Sequence, residues 1–203
     1  MILNGDLPAG SALTENAIVE RIEIGKTPVR EAMRRLVLEG LLAVTPRLGY
    51  TVTPITLSDA EDLFQLRCIV EVAAVELASP RLGEPELQRL EELSTIGYDP
   101  GDRESIMVFS AANAEFHEII AVGSGNRRLA ELALSLMQES RRFIQAVTLT
   151  DDHGRLVQQQ HCEIVAALRD RDPEAAAAAV RQHLDDSRLL TVASLSQPVG
   201  SAV

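Results

Sequence analysis

Beyond Pro54 the apolar residues of this chain recur at three- and four-residue spacing, and that period admits helices and little else. Leu63, Val70, Ala74 and Leu77 form one stripe, Val157, Val165 and Leu168 a second, and Ala176, Val180 and Leu190 a third. Breaks fall at "SPRLGEP", "GYDPGD" and Asp172-Pro173. The spacing predicts helices over 58–79, 85–94, 103–122, 126–149, 153–171 and 173–194. Together they read as an all-α antiparallel bundle over 58–195, ahead of a flexible tail at 196–203. Ser58-Asp59-Ala60-Glu61 has the form of a capping box that opens the first helix. Asp172-Pro173 is an N-cap and first-turn pair for the last. The alanines at 175–179 are a strong helix former rather than a low-complexity tract.

Residues 1–54 have another texture, and 55–57 read as a linker between the two domains. Thr14 to Glu23 suits a short helix with Ala17, Ile18 and Ile22 inward. After a break at "IGKT", Thr27 is a natural N-cap and Pro28 fits the first helical position, where its missing N–H costs nothing. Val29, Met33, Leu36 and Val37 make an inward stripe, and Gly40 is a helix stop. Leu42–Thr45 and Tyr50–Thr53 read as two short strands joined at Pro46–Gly49. The order is helix, turn, helix, hairpin, the outline of a winged helix-turn-helix.

The charge is divided in the same place. Residues 1–54 hold six Lys/Arg against six Asp/Glu, whereas 55–203 hold 13 against 24 and carry the whole net charge of −11. An acidic C-terminal domain is repelled by nucleic acid, and the N-terminal domain is not. No apolar run approaches the ~20 residues that span a bilayer, and the N-terminus has no basic-then-apolar signal pattern. Cys68 and Cys162 lie in no CxxC and read as reduced, buried thiols. A cytoplasmic protein without a membrane partner is expected.

The second N-terminal helix concentrates Lys26, Arg30, Arg34 and Arg35. With Val29, Met33 and Leu36 inward, Arg30 and Arg34 face outward one turn apart, and Lys26 and Thr27 stand at the N-terminus. Such an end attracts phosphate, and a recognition helix reads bases with its first residues. Arg47, at the hairpin tip, is placed to reach a neighbouring backbone or minor groove. The plainer alternative is a surface helix in which Arg35 pairs with Glu31 and Glu39.

The stretch "LPAGSALTE…TPVREAMRRLVLEGLLAVTPRLGYTV" resembles the winged-helix domain of GntR-type bacterial transcription regulators. "LFQLRCIVE", "NAEFHEIIAVGSGN" and "QQHCEIVAALRDRDPEAAAAAVRQHL" resemble its FadR-like branch, whose C-terminal FCD domain is an all-helical effector-binding bundle. The resemblance runs to about residue 192. It implies an operator-binding homodimer on double-stranded DNA, and it adds the wing glycine, Gly49, to the DNA-binding set. Two departures stand out. The chain starts inside the family's "I-x-x-G-x-L-x-PG" segment, which leaves open a winged helix without its first helix. Gly25-Lys26 replaces the usual Ser-Arg, and lysine lacks the bidentate fork for a guanine.

Polar residues also sit on inward stripes of the helical domain. Asn113 and His117 are one turn apart on a face with Ile106 and Ile120; His161 and His183 lie on the stripes of the last two helices. Three imidazoles and an amide oxygen can hold a divalent ion such as Zn²⁺, Ni²⁺ or Mn²⁺; hydrogen-bonded core histidines are the plainer alternative. The resemblance implies a metal site of Asp-x-x-x-His and two later His. His117, His161 and His183 match those positions, and Asn113 replaces the Asp, which weakens the site. His153 reads as surface. Arg67 lies on the first stripe and needs an anionic partner, either Glu71 one turn on or a bound effector; the resemblance implies an effector pocket at this Arg.

The expectation is therefore a DNA-binding regulator, a repressor rather than an enzyme, controlled by a small carboxylate held at Arg67, Asn113, His117, His161 and His183. Two alternatives stand beside it. One is a ligand-binding dimer with impaired DNA binding. The other is a His-based metalloenzyme, disfavoured because no general base or nucleophile accompanies the histidines.

Overall fold

The structure is a computed structural model; it describes residues 1–2, 6–54, 56–148 and 153–196. The chain divides into two compact units, Met1–Thr56 and Leu57–Val203.

The first unit opens with strand β1 (Ala12–Leu13), followed by α1 (Glu15–Ile22), α2 (Lys26–Leu38), β2 (Leu42–Thr45) and β3 (Gly49–Val52). Thr14 caps α1 by accepting from the Ala17 amide at 3.2 Å. α2 begins one residue before the expected cap: Gly25 is the N-cap without a side-chain bond, Lys26 is the first helical residue, and Thr27 lies inside the helix. Pro28 is thus third in the helix. It is tolerated there because the first four amides of a helix have no intrahelical partner. The helix closes through Gly40, whose φ of 72° lets the Leu41 amide reach the Leu36 carbonyl at 2.9 Å.

The sheet has the order β1-β3-β2, antiparallel throughout, with Leu42 opposite Val52 and Leu13 opposite Tyr50. β1 goes unsignalled in the sequence because two residues carry no period. The hairpin turns at Pro46–Leu48, and Thr45 faces Gly49, so β3 starts one residue earlier than expected. Leu13, Val29, Met33, Leu42 and Val52 form the small core; Ile18 and Val19 of α1 pack on it. Ala17 and Ile22, expected inward, are exposed.

The second unit contains α3 (Leu57–Ala78), α4 (Glu84–Ser94), α5 (Arg103–Gly123), α6 (Arg127–Thr148), α7 (Gly154–Arg169) and α8 (Pro173–Ser196). No strand occurs among its described residues. α3 takes in Leu57, so it begins one residue before Ser58, the expected cap. α8 runs to Ser196, and the remainder of the expected tail, like the expected helical end at Leu149, lies outside the described residues. Asp172 caps α8 as expected, accepting from the Ala175 amide at 2.9 Å.

α3 is the pillar of the bundle, packed against α5, α6 and α8. Both its sides are covered: Phe64, Val70, Ala74, Val75 and Ala78 are buried, and so are Arg67 and Glu71. Leu77, expected on the inner stripe, is 36% exposed. The small Ala176 and Ala177 of α8 belong to the common core with Leu90, Phe116, Ile164 and Leu184. Arg89 pins α4 to α5 through Glu115 at 2.6 Å.

Gly49 makes the N-terminal unit sensitive to one methyl group. Its φ is 98°, and a Cβ there would stand 2.8 Å from the Leu13 carbonyl oxygen on β1. Gly49→Ala should cost about 1–3 kcal/mol in that unit, read as faster amide hydrogen exchange across β1–β3. Gly40→Ala, with φ 72° and open space around it, should cost only the left-handed penalty of about 1–2 kcal/mol.

Candidate functional site

In the first unit, burial of Val29 and Met33 orients the rest of α2. Lys26, Thr27, Arg30 and Arg34 are exposed along its outer face, Arg47 is exposed at the hairpin tip with φ 68°, and Gly49 is half-buried beneath β1. Arg30 is also held within the unit. Its Nε donates to both Glu15 carboxylate oxygens at 3.1 Å and its Nη2 to Oε2 at 3.0 Å. The hydrogen bond from Arg30 holds the Glu15 carboxyl below the usual range despite some burial. The pair occupies one edge of the guanidinium and leaves Nη1 out of the contact. Arg35 pairs with Glu39 at 2.8 Å; no ion pair links it to Glu31. Sequence reasoning missed Glu15, because only the fold brings the first turn of α1 to α2.

In the second unit, α5, α7 and α8 each supply one buried imidazole: His117, His161 and His183. One ligand atom from each lies within 4.8 Å of the others. Glu71 governs the first. Its Oε2 is 2.9 Å from His117 Nδ1, and its Oε1 accepts from Arg67 Nε at 2.7 Å. An ionised carboxylate only accepts, so His117 carries a proton on Nδ1, and its neutral form presents a bare Nε2. That Nε2, and Nε2 of His161, are buried with no hydrogen-bond partner. His161 lies flat on Phe116, ring centres 4.0 Å apart. His183 Nδ1 is 3.0 Å from Gln160 Oε1.

The electrostatics favour neutral rings at His161 and His183. Burial first, then the His183 and His117 rings, push His161 well below its ordinary value. Burial, His117 and Arg67 push His183 down to about 3 against the opposing charge of Glu71. For Glu71, burial works toward a higher value, but Arg67 and His117 outweigh it and hold the carboxyl at about 2. Converging bare imidazole nitrogens without partners are costly unless something accepts their lone pairs. A divalent cation does so, and the donor set fits one.

Arg67, Asn113 and His117 border two cavities. The larger, about 210 Å³, continues along Gln138, Ser140 and Arg141. The smaller, about 50 Å³, is walled by Tyr98, Phe109, Val157 and Leu190. Of the two partners considered for Arg67, Glu71 is the one it meets, and its side chain also borders the cavities. Its Nη1 further donates to Ser140 Oγ at 3.2 Å. His153 lines the smaller cavity and is half-buried, not a surface residue, because the Tyr98 hydroxyl accepts from its amide at 3.2 Å and draws the start of α7 inward. Cys68 is half-buried and Cys162 exposed, so neither is the buried thiol expected.

Residues 62–186 match the FCD domain and residues 1–52 the bacterial regulatory proteins of the gntR family. The chain belongs to the GntR family. It is 30% identical over 191 residues to the uncharacterized HTH-type transcriptional regulator YdhC of Bacillus subtilis, spanning 91% of this chain and 83% of that one. The Nta operon transcriptional regulator of Aminobacter aminovorans is 29% identical over 86% of this chain and 81% of its own. Among solved structures, a putative GntR transcriptional regulator from Rhodococcus sp. RHA1 superposes with a TM-score of 0.75 at 26% identity, covering 95% of this chain and 92% of that one. Escherichia coli McbR/YncC shares the fold, with a TM-score of 0.79 at 24% identity over 94% and 91% of the two chains.

As a GntR regulator with an FCD effector domain, the chain is a transcription regulator and not an enzyme.

The buried histidines give this GntR protein an acid sensitivity of definite sign. His183 is depressed from 6.5 to about 3, so the unfolded chain takes up a proton that the folded one refuses, and stability falls as pH drops below 6.5. In the metal-free protein this should remove about 1–2 kcal/mol between pH 6.5 and 5 from His183 alone, with His161 acting in the same direction. Denaturant titrations followed by circular dichroism, with and without His183→Asn, check the slope; the variant should flatten it. Below pH 4.5, loss of the Glu71 charge should add a second decline toward its value of about 2.

Proposed function

We propose that the chain is a cytoplasmic, homodimeric operator-binding repressor, controlled by a small carboxylate seated beside a metal-binding histidine cluster. The observation that carries the ligand half is the set of buried imidazoles with unpartnered nitrogens next to Arg67 and a cavity of about 210 Å³. His117, His161 and His183 would hold the ion through nitrogen, and Asn113 would offer a neutral amide oxygen. Zn²⁺, Ni²⁺ and Mn²⁺ remain the candidates, with imidazole favouring the first two. The ion would supply a positive centre that polarises and anchors an anion.

The charge count favours a carboxylate. Imidazoles that ligate a metal are neutral, as is Asn113, and Arg67 and Glu71 cancel. A bound divalent cation therefore leaves two positive charges in a buried site, and an anion in the cavity offsets them. Arg67 and Arg141 border the space that such a ligand would fill.

For the DNA half, α2 enters the major groove, with Lys26, Thr27, Arg30 and Arg34 toward bases and phosphates. Arg47 on the hairpin contacts backbone, and Gly49 shapes the wing. Two winged helices are needed because one half-site module binds weakly, and a two-fold dimer matches a two-fold operator. Repression follows the relatives: GlaR of Escherichia coli, 26% identical, and a D-xylose utilization operon regulator of Paenarthrobacter nicotinovorans, 29% identical, are named repressors.

Two experiments test the reading. Arg30→Ala should lose about 1–3 kcal/mol of operator affinity and relax specificity, while Arg47→Ala should lower the salt slope by about one ion; unchanged binding in both would remove α2 and the wing from the DNA interface. Elemental analysis of the purified chain should find one divalent ion per protomer, lost in His161→Ala, and chelation should abolish the response of operator binding to carboxylates. An ion-free protein with an intact response would transfer the anion to Arg67 alone.

A further inference from the structure

Asp186 lies one turn beyond His183 on α8 and touches none of the three imidazoles. It accepts from Gln160 Nε2 at 2.6 Å and from Gln182 Nε2 at 3.0 Å. Gln160, 6% exposed on α7, turns its other amide atom, Oε1, to His183 Nδ1 at 3.0 Å.

The chemistry of these three groups permits one arrangement. A carboxylate offers only acceptors, so the amide must present its NH₂ to Asp186. Its carbonyl oxygen then faces His183, and an oxygen can only accept. His183 Nδ1 must therefore carry the ring proton, which leaves Nε2 a bare lone pair. We propose that Asp186 is a positioning residue that sets the tautomer of His183 through Gln160, and so readies the ring to ligate a metal through Nε2. The inference rests on the metal reading above only for its consequence; the tautomer itself is a property of the metal-free chain.

The arrangement parallels the other side of the cluster. Glu71 fixes His117 directly, Nδ1 to Oε2 at 2.9 Å. Asp186 acts at one remove, because the Gln160 amide bridges its carboxylate and the ring. Partners of this kind hold a ligand's ring orientation and basicity, and their loss commonly weakens metal binding 10- to 100-fold.

The test uses full-length chain labelled with ¹⁵N, stripped of metal, near neutral pH. The ring nitrogen shifts of His183 should report the Nδ1–H form in the native sequence and a mixture of the two tautomers in Asp186→Asn, whose amide leaves Gln160 free to flip. Competition with a chromophoric chelator should show Zn²⁺ binding weakened about tenfold or more in that variant. Asp185→Asn removes the same charge one residue away and should change neither readout. In the double variant Gln160→Glu/Asp186→Asn, a carboxylate accepts directly from Nδ1, and both the Nδ1–H form and Zn²⁺ affinity should return. A pure Nδ1–H form in Asp186→Asn overturns the proposal, as does an equal effect of Asp185→Asn. If the native chain binds no Zn²⁺, the metal reading fails, and the tautomer measurement alone still decides the role of Asp186.

Discussion

Glu71 puts a carboxylate inside the helical unit, 5% exposed, and divides its two oxygens between Arg67 and His117. Much of the site depends on that division. Arg67 is 2% exposed, and a buried guanidinium without an anion would carry a penalty of several kcal/mol. With Glu71 beside it the pair is neutral, and the remaining Arg67 donors are turned to Ser140 on α6 and to the cavities. The same carboxylate reaches α5 and orients His117. One residue of α3 thus fixes a group on its own helix and one on α5, and gives an apolar bundle a polar centre.

A buried ion pair of this kind gives little net stability, since desolvation offsets most of the attraction. Its value lies in what it excludes. Phe116 packs flat against His161 and the core seals His183 from solvent, so these two rings stay neutral and their lone pairs stay available. A protonated cluster would repel a cation; a neutral, fixed one receives it without rearrangement. The pairing of Arg30 with Glu15 follows another logic. It lies at the surface, where such a pair contributes under about 1 kcal/mol, and it holds a long side chain that would otherwise sample many rotamers. A guanidinium already held by Nε and Nη2 loses less entropy when Nη1 meets a partner.

Much of this was legible in the sequence because periodicity reports burial. Asn113, His117, His161 and His183 stood out as polar residues on apolar stripes, and the fold turns all three imidazoles into one cluster. The helices followed from the same period. What escaped were features decided by tertiary contact. Glu15 reaches Arg30 only after α1 folds back on α2, and β1 exists only because β3 offers it an edge. Thr27 looked like a cap because proline disfavours a helical residue before it, yet α2 absorbs Pro28 at a position where no amide is needed. His153, at the start of its helix, read as surface and gains its half-buried place from Tyr98, 55 residues away. Glu71 was visible as a partner for Arg67; its second oxygen, and the histidine it governs, were not.

In the metal site proposed above, Asn113 would let one atom tune the centre. A carboxylate at this place would offset part of a bound cation's charge and compete with an incoming anion for it. The amide keeps an oxygen donor and gives up the charge. Cation affinity falls, while the attraction of the loaded site for an anion rises, because the charge that the protein no longer neutralises must be neutralised by the ligand. Cation and anion then reinforce one another's binding, each lowering the cost of burying the other. With Arg67 already committed to Glu71, a neutral Asn113 in the proposed metal site would make the centre depend on its ligand for charge balance.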